Sequence, residues 1–135
     1  MKAAVRSKPA APPRLSVLGE TFAVCRLDAE TEFPTWAAQS GFYSVTRTAD
    51  EVSVVCPEQR VPEDVKCERG WRAFKLEGPL DFSLVGVLAG MLAPLAGAGV
   101  PVFVLSTHDT DYVLVREEML DLAAAALRGG GYEIV

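Results

Sequence analysis

The stretch that decides the fold is P-V-F-V-L-S-T-H-D-T-D-Y-V-L-V, residues 101–115. Its two apolar runs, 102–105 and 112–115, are rich in β-branched and aromatic residues, and six polar residues separate them. This pattern predicts a β-hairpin with buried strands. The connection carries a side-chain oxygen at every position except His108; the oxygen-bearing residues are Ser106, Thr107, Asp109, Thr110 and Asp111. Two interpretations stay open, because such residues either bond their own backbone or present acceptors to a ligand's ammonium group.

The sequence around this hairpin predicts a ferredoxin-like fold. From residue 71 onward the order of elements is β-α-β-β-α-β, which right-handed crossovers fold into a four-stranded antiparallel sheet with both helices on one face. Leucines at helical spacing, including Leu84, Leu88 and Leu95, indicate the buried face of the first helix, in which Pro94 predicts a bend. The predicted elements are strand 71–76, helix 83–96, the hairpin, helix 117–128 and strand 132–135.

The first half predicts a shorter ββαββ unit, which makes the whole chain an α/β (α+β) protein. Gly19 and Glu20 separate its first two strands at hairpin spacing, and Pro34 suits the first turn of a short helix, under which Trp36 packs. A polar, proline-containing stretch then separates the two halves. The predicted segments are a disordered tail at 1–13, an N-terminal half at 14–57 with strands 14–18, 22–27, 42–47 and 51–56 and helix 32–39, a linker at 58–70 and a C-terminal domain at 71–135.

Charge and composition narrow the function. The net charge is −5 and no basic patch occurs, which argues against a nucleic-acid or membrane-surface partner. The apolar segment 84–105 contains prolines and glycines and is predicted as helix plus strand rather than a membrane span. The three cysteines, Cys25, Cys56 and Cys67, are widely spaced and form no CxxC pair, so we expect reduced thiols in a cytoplasmic protein with no metal site and no cofactor.

Three stretches of the sequence resemble the ACT-domain family of amino-acid-binding regulatory modules. They are F-Y-S-V-T-R-T-A-D-E-V-S-V-V-C-P at 42–57, W-R-A-F-K-L-E-G-P-L-D-F-S-L-V-G-V-L-A at 71–89, and the hairpin at 101–115. More narrowly, the chain resembles small bacterial proteins with two tandem ACT units, which are related to the ACT repeats of the animal cytosolic arginine sensors. The resemblance implies an ACT domain at 71–135 and an ACT-like unit before it.

The resemblance also implies where a ligand is held. In ACT modules an amino acid lies between the loop joining the first strand to the first helix and the strands of a neighbouring unit. Backbone N–H groups at a helix start attract a carboxylate, and Gly78 or Gly86 allows close approach. Asp109 or Asp111 is the expected partner of the ligand's ammonium group. The full set of predicted ligand-binding residues is Asp81, Phe82, Ser83, Leu84, Val85, Gly86, Thr107, Asp109, Thr110 and Asp111.

Alternatives remain beside this amino-acid sensor. Asp81 and Ser83 can be helix caps, and Phe82 can be core. The chain can be a structural or protein-interaction module with an empty site, and a homodimer or another protein partner is plausible because an exposed edge strand needs covering. A small thiol enzyme would need Cys56 or Cys67 within hydrogen-bond reach of His108, and no catalytic motif accompanies them. We therefore expect a non-enzymatic protein.

Overall fold

Strand β5, the longest in the sheet, organises the fold in a computed structural model that describes residues 13–78 and 86–135. The described residues form one eight-stranded sheet and two α-helices. Short 3-10 helices lie at Glu58–Arg60 and Glu117–Met119. The strands are β1 Arg14–Val17, β2 Phe22–Asp28, β3 Ser44–Arg47, β4 Glu51–Pro57, β5 Cys67–Leu76, β6 Phe103–Ser106, β7 Asp111–Arg116 and β8 Glu133–Ile134, and the helices are α1 Val87–Gly97 and α2 Leu120–Gly129.

Both edges of β5 are paired. Along one edge, β1 pairs with its end near Leu76 and β2 with its beginning near Cys67, both antiparallel. Along the other edge, β7 pairs from Trp71 to Lys75. The ten residues of β5 give an edge long enough for two strands end to end. The predicted hairpin between β1 and β2 is therefore wrong, because each pairs with β5 rather than with the other.

The C-terminal unit has the predicted ferredoxin-like βαββαβ arrangement with one additional strand. Its strands lie in the order β6-β7-β5-β1-β8, and β8 pairs parallel to β1 instead of directly with β5. The predicted four-stranded sheet thus becomes five-stranded through insertion of β1. The β6–β7 hairpin is confirmed, with Phe103 opposite Leu114 and Ser106 opposite Asp111.

Helices α1 and α2 cover the C-terminal sheet on one face, as predicted. Fully buried residues of both helices, Met91, Leu95 and Leu127, pack with Phe74 and Val113 of the strands. Each such side chain contributes roughly 1.5–3 kcal/mol by leaving water. None of the helices in residues 13–78 and 86–135 has the length and apolarity to cross a membrane.

Two helix boundaries differ from the sequence prediction. Helix α1 begins at Val87. Its N-cap residue Gly86 has φ 81°, a left-handed conformation that cannot belong to a right-handed helix. The predicted start at Ser83 lies outside the described residues, and no side chain among the residues described caps the helix. In the second helix the first three residues, Glu117–Met119, form a 3-10 turn before α2 begins at Leu120.

The N-terminal half contributes β2, β3 and β4, in the order β3-β4-β2 next to β5. The predicted helix at 32–39 is instead two overlapping turns, closed by Ala37 N to Pro34 O at 3.0 Å and Ala38 N to Thr35 O at 3.1 Å. The hydroxyl of Ser40 bonds to the Ala37 carbonyl at 3.1 Å, which offers the backbone an alternative to a further helical turn. Trp36 is half-buried and packs on the apolar cluster of this half, as predicted.

An aromatic cluster on the helix-free face of the sheet joins the two halves. Phe42 lies between Phe22 and Tyr112, with ring centroids 5.1 and 5.0 Å away. Both distances suit tilted aromatic pairs. Because Tyr112 belongs to the hairpin and Phe42 precedes β3, this cluster places segment 41–44 of the N-terminal half against the C-terminal hairpin.

Candidate functional site

The tip of the β6–β7 hairpin is a turn that bonds to itself. Thr107 N donates to Thr110 O at 2.8 Å, and Thr110 N donates to the Thr107 hydroxyl at 3.3 Å. The backbone-bonding interpretation of the oxygen-rich connection therefore holds for Thr107. At the apex, His108 Nδ1 lies 2.9 Å from the Asp109 carboxylate, and both side chains are exposed.

Thr110 fixes this turn to the end of β5. Among the described residues, Thr110 is the one polar residue that is buried, with 5% of its surface exposed. Its hydroxyl donates to the Leu76 carbonyl. That carbonyl lies one residue beyond Lys75, the last β5 residue paired with β7. The hydroxyl therefore satisfies an acceptor that the strand pairing leaves open, and it holds the turn beside the start of the loop toward α1.

Asp111 faces the opposite side of the hairpin from Tyr112, since neighbouring strand residues alternate. Val113, two residues on, packs in the core beneath the helices. The Ser106 hydroxyl donates to the Asp111 carboxylate at 2.6 Å. Asp111 thus already has a partner on the helix-covered face.

A pocket of about 180 Å³ opens where β5 and β7 meet the turn; we call it the charged pocket. Lys75 brings an ammonium group and Asp109 a carboxylate to its lining. Within residues 13–78 and 86–135, Lys75 takes part in no salt bridge. The remaining lining residues bring hydroxyl groups and a glycine: Gly78, Thr107, Thr110 and Tyr112.

A second pocket, of about 260 Å³, adjoins the charged pocket; we call it the inter-half pocket. Thr107 and Tyr112 line both, so the two pockets lie side by side along one groove wall. The inter-half pocket is bounded by the hairpin and by the segment that precedes and begins β3. Its other lining residues are Gly41, Phe42, Tyr43, Ser44, Leu105 and Ser106.

The structure brings together three of the predicted ligand-binding residues: Thr107, Asp109 and Thr110 all line the charged pocket. Gly86 lies at the N-cap of α1, and Asp111 is bonded to Ser106. The predicted contacts Asp81, Phe82, Ser83, Leu84 and Val85 lie outside the described residues.

Sequence reasoning missed Lys75, Tyr112 and segment 41–44. Alternation along β5 offered a signal for Lys75, since Phe74 and Leu76 face the core and Lys75 must face away. The segment 41–44 offered only its aromatic pair, Phe42 and Tyr43.

The thiol-histidine combination of the enzyme alternative does not assemble. Cys67 begins β5, whereas His108 lies at the hairpin tip that Thr110 fixes to Leu76 at the end of β5. Nine residues of extended strand separate these ends by about 30 Å. Cys56 of β4 lies opposite Ala23 of β2, in the same apolar cluster as Cys67. Neither thiol is therefore within reach of the imidazole, and no group of metal-ligating side chains occurs in the described part of the chain.

Comparison with known proteins agrees with this architecture. A family model described as an ACT domain matches residues 66–129, and a second model, described as an N-terminal domain, matches residues 20–64. The crystal structure of an Agrobacterium tumefaciens protein is 38% identical in sequence, covers 93% of this chain and 94% of its own, and superposes with a TM-score of 0.87.

Two aspartate kinase structures share the fold at low sequence identity. The regulatory subunit of the Thermus flavus enzyme is 11% identical, with 89% of this chain and 98% of that chain covered and a TM-score of 0.61. The Clostridium acetobutylicum enzyme, described as allosteric, is 12% identical, with 87% of this chain but 34% of that chain covered and a TM-score of 0.65. With the ACT-domain match and the predicted ferredoxin-like order both present, residues 66–129 of the chain form a domain of the ACT family.

Proposed function

We propose that this protein is a non-enzymatic regulatory protein that binds a free amino acid in the groove formed by the charged and inter-half pockets. The observation that carries the proposal is the presence of Lys75 and Asp109 in the lining of one small pocket. An amino acid at neutral pH carries a carboxylate and an ammonium group, and the two side chains supply the complementary charges.

Charge assigns the orientation of the ligand. Its ammonium group pairs with the Asp109 carboxylate, and its carboxylate pairs with the Lys75 ammonium, since charge-assisted hydrogen bonds are the stronger kind. Gly78 also lines the pocket, and the residues from 79 to 85 connect it to the start of α1. The proposed contacts Asp81 to Val85 therefore follow directly along the chain from the pocket wall.

The ligand's side chain extends past Thr107 and Tyr112 into the inter-half pocket. Phe42, Tyr43 and Leu105 make part of that wall apolar, which favours an amino acid with an apolar portion. A ligand in this position contacts both halves of the protein. Binding therefore couples the N-terminal half to the C-terminal hairpin, which is the coupling that a regulatory module needs.

A ligand that binds only the folded protein stabilises it by about 2.7 kcal/mol at a hundredfold excess over its dissociation constant. Regulation requires in addition that the ligand favour one assembly state. We propose a homodimer for this purpose. Strand β6 pairs only with β7 among the described strands, so its outer edge is available to a second copy. We place this assembly in the cytoplasm.

A thermal-shift screen against the twenty amino acids at millimolar concentration tests the proposal. We expect a selective rise in melting temperature with one amino acid or a few similar ones, and a change in elution volume on size-exclusion chromatography with the same compound. Asp109→Asn should reduce the rise to about half or less, which is the effect of at least tenfold weaker binding at a hundredfold excess of ligand, while Asp111→Asn, the matched control on the other face of the hairpin, should retain it. A rise of wild-type size in the Asp109 variant would contradict the site.

A protein-interaction module is the second candidate, favoured by two exposed aromatic side chains in the N-terminal half. Phe33 is 50% exposed and Tyr43 is 44% exposed, and both are rings that an interface would bury. A flat profile with all twenty amino acids would favour this candidate over the sensor.

A further inference from the structure

The fold brings the three cysteines together on one face of the sheet, although they are far apart in sequence. Cys25 of β2 lies directly opposite Cys67 of β5. Cys56 of β4 lies opposite Ala23, two residues from Cys25 on the same face. All three belong to the apolar cluster of the N-terminal half, with Cys25 and Cys56 buried and Cys67 partly exposed.

The backbone pairing around Cys25 and Cys67 brings their side chains close. Arg26 N donates to Lys66 O at 3.2 Å, so Arg26 and Lys66 form the hydrogen-bonded pair next to them. In an antiparallel ladder such pairs alternate with non-hydrogen-bonded pairs, whose Cα atoms are only about 4.5 Å apart. Cys25 and Cys67 therefore occupy the close kind of position, and that separation lies within the range that a disulfide spans without backbone movement.

Cys56 is placed differently. It lies diagonal to Cys25 across the β2–β4 ladder, and diagonal neighbours are about 7–8 Å apart, too far for a bridge without a shift of the strands. Contact with Cys25 is still possible through the two sulfurs. A hydrogen bond from Cys25 and the charges of Arg69 and Arg60 lower the pKa of the Cys56 thiol, against the opposing effect of burial. The hydrogen bond with Cys56 and burial raise the pKa of Cys25.

Solvent reaches the pair at Cys67, which is partly exposed, whereas Cys25 is buried. The thiolate is the reactive form of cysteine. A small oxidant can therefore meet Cys67 at a position with a second thiol directly beside it.

We propose that Cys25 and Cys67 are a thiol-oxidation site that closes into a reversible disulfide when the protein meets a hydroperoxide. The Cys67 thiolate attacks one peroxide oxygen, so that the O–O bond breaks, hydroxide or alkoxide leaves, and Cys67 becomes a sulfenic acid. Cys25 then attacks the Cys67 sulfur, and its proton passes to the departing hydroxyl group. The S–O bond breaks as the S–S bond forms, and water leaves. A dithiol reverses the change by exchange.

The bridge would join β2 to β5, which means that it ties the N-terminal half to the C-terminal unit. It constrains the unfolded chain over the loop from 25 to 67, so the oxidised protein should melt about 10 °C higher than the reduced protein. This state does not depend on an amino-acid ligand, because the cysteines and the hairpin turn lie at opposite ends of β5.

Mass spectrometry of the full chain tests the proposal. After reduction, removal of the reductant and treatment with a few equivalents of hydrogen peroxide, we expect the intact mass to fall by the two hydrogens of one disulfide. Trypsin separates the three cysteines into peptides 15–26, 48–60 and 67–69. Digestion without reduction should give a linked pair of 15–26 and 67–69, which dithiothreitol then separates.

Variants identify the roles of the three thiols. Cys67→Ala should lose the linked peptide, and Cys25→Ala should leave a sulfenic acid at Cys67 that dimedone traps. Cys56→Ala is the control and should still form the linkage. A linkage through Cys56, a linkage between two chains, or unchanged thiols under peroxide would overturn the proposal.

Discussion

Replacing Thr110 with valine tests the contact that holds the hairpin turn at the end of β5. Valine keeps the shape and volume of threonine but removes the hydroxyl that donates to the Leu76 carbonyl. Thr110 is 5% exposed, so water has little access to take the place of that donor. A buried acceptor left without its partner costs about 1–3 kcal/mol of folding free energy.

Urea unfolding followed by tryptophan fluorescence measures this cost. With a denaturant slope of about 1–3 kcal/mol per molar, the midpoint of Thr110→Val should fall by about 1 M relative to the wild-type protein, at unchanged slope. Thr46→Val is the matched control, because Thr46 is an exposed residue of β3. Its free energy of unfolding should change by at most about 0.5 kcal/mol.

A Thr110→Val protein as stable as the wild type would refute this reasoning. It would mean that the Leu76 carbonyl does not rely on the hydroxyl. A large effect in Thr46→Val would instead mean that the exchange itself, and not the buried bond, changes stability.

Three further substitutions test the packing by the same unfolding measurement. Phe42→Leu removes the ring between Phe22 and Tyr112 and should cost about 1–3 kcal/mol, since two aromatic contacts and apolar area are lost together. Gly86→Ala should cost about 1–2 kcal/mol, because φ is 81° and a Cβ is unfavourable there. Leu127→Ala should cost about 2–5 kcal/mol, because it opens a cavity in the core beneath the helices.

Each of these substitutions has a control elsewhere in the chain. Phe33→Leu, at an aromatic residue 50% exposed, and Leu122→Ala, at a leucine 48% exposed, should each cost less than about 1 kcal/mol. Gly97→Ala lies in α1 with open space around its Cα and should be neutral or stabilising. Equal costs in a variant and its control would contradict the packing assigned to that site.

The hairpin and the C-terminal order of elements were predictable because alternation and turn residues are local signals. The partners of β1 were not. The Gly19–Glu20 spacing fits a hairpin, and it fits equally well a chain that passes from one strand to the next along a shared edge. Residues 67–70, C-E-R-G, resemble a linker by composition, yet they extend β5 to the length that provides this edge.

The hairpin residues of the site were predictable from the sequence, whereas the residues that the N-terminal half contributes were not. Thr107, Asp109 and Thr110 stand out in the sequence as an oxygen-rich turn, and all three line the charged pocket. Segment 41–44 reaches the groove only because Phe42 packs on Tyr112 across the two halves. The cysteine pair is hidden for the same reason, since the register between β2 and β5 sets Cys25 opposite Cys67.

Isothermal titration of the wild-type protein and Asp109→Asn with the amino acid selected by thermal shift tests the central claim most directly. We expect one saturable site in the wild type and at least about tenfold weaker binding in the variant, which corresponds to loss of about 1.4 kcal/mol or more from one charge-assisted contact. Equal affinity in the two proteins would contradict the placement of an amino-acid site at the charged pocket.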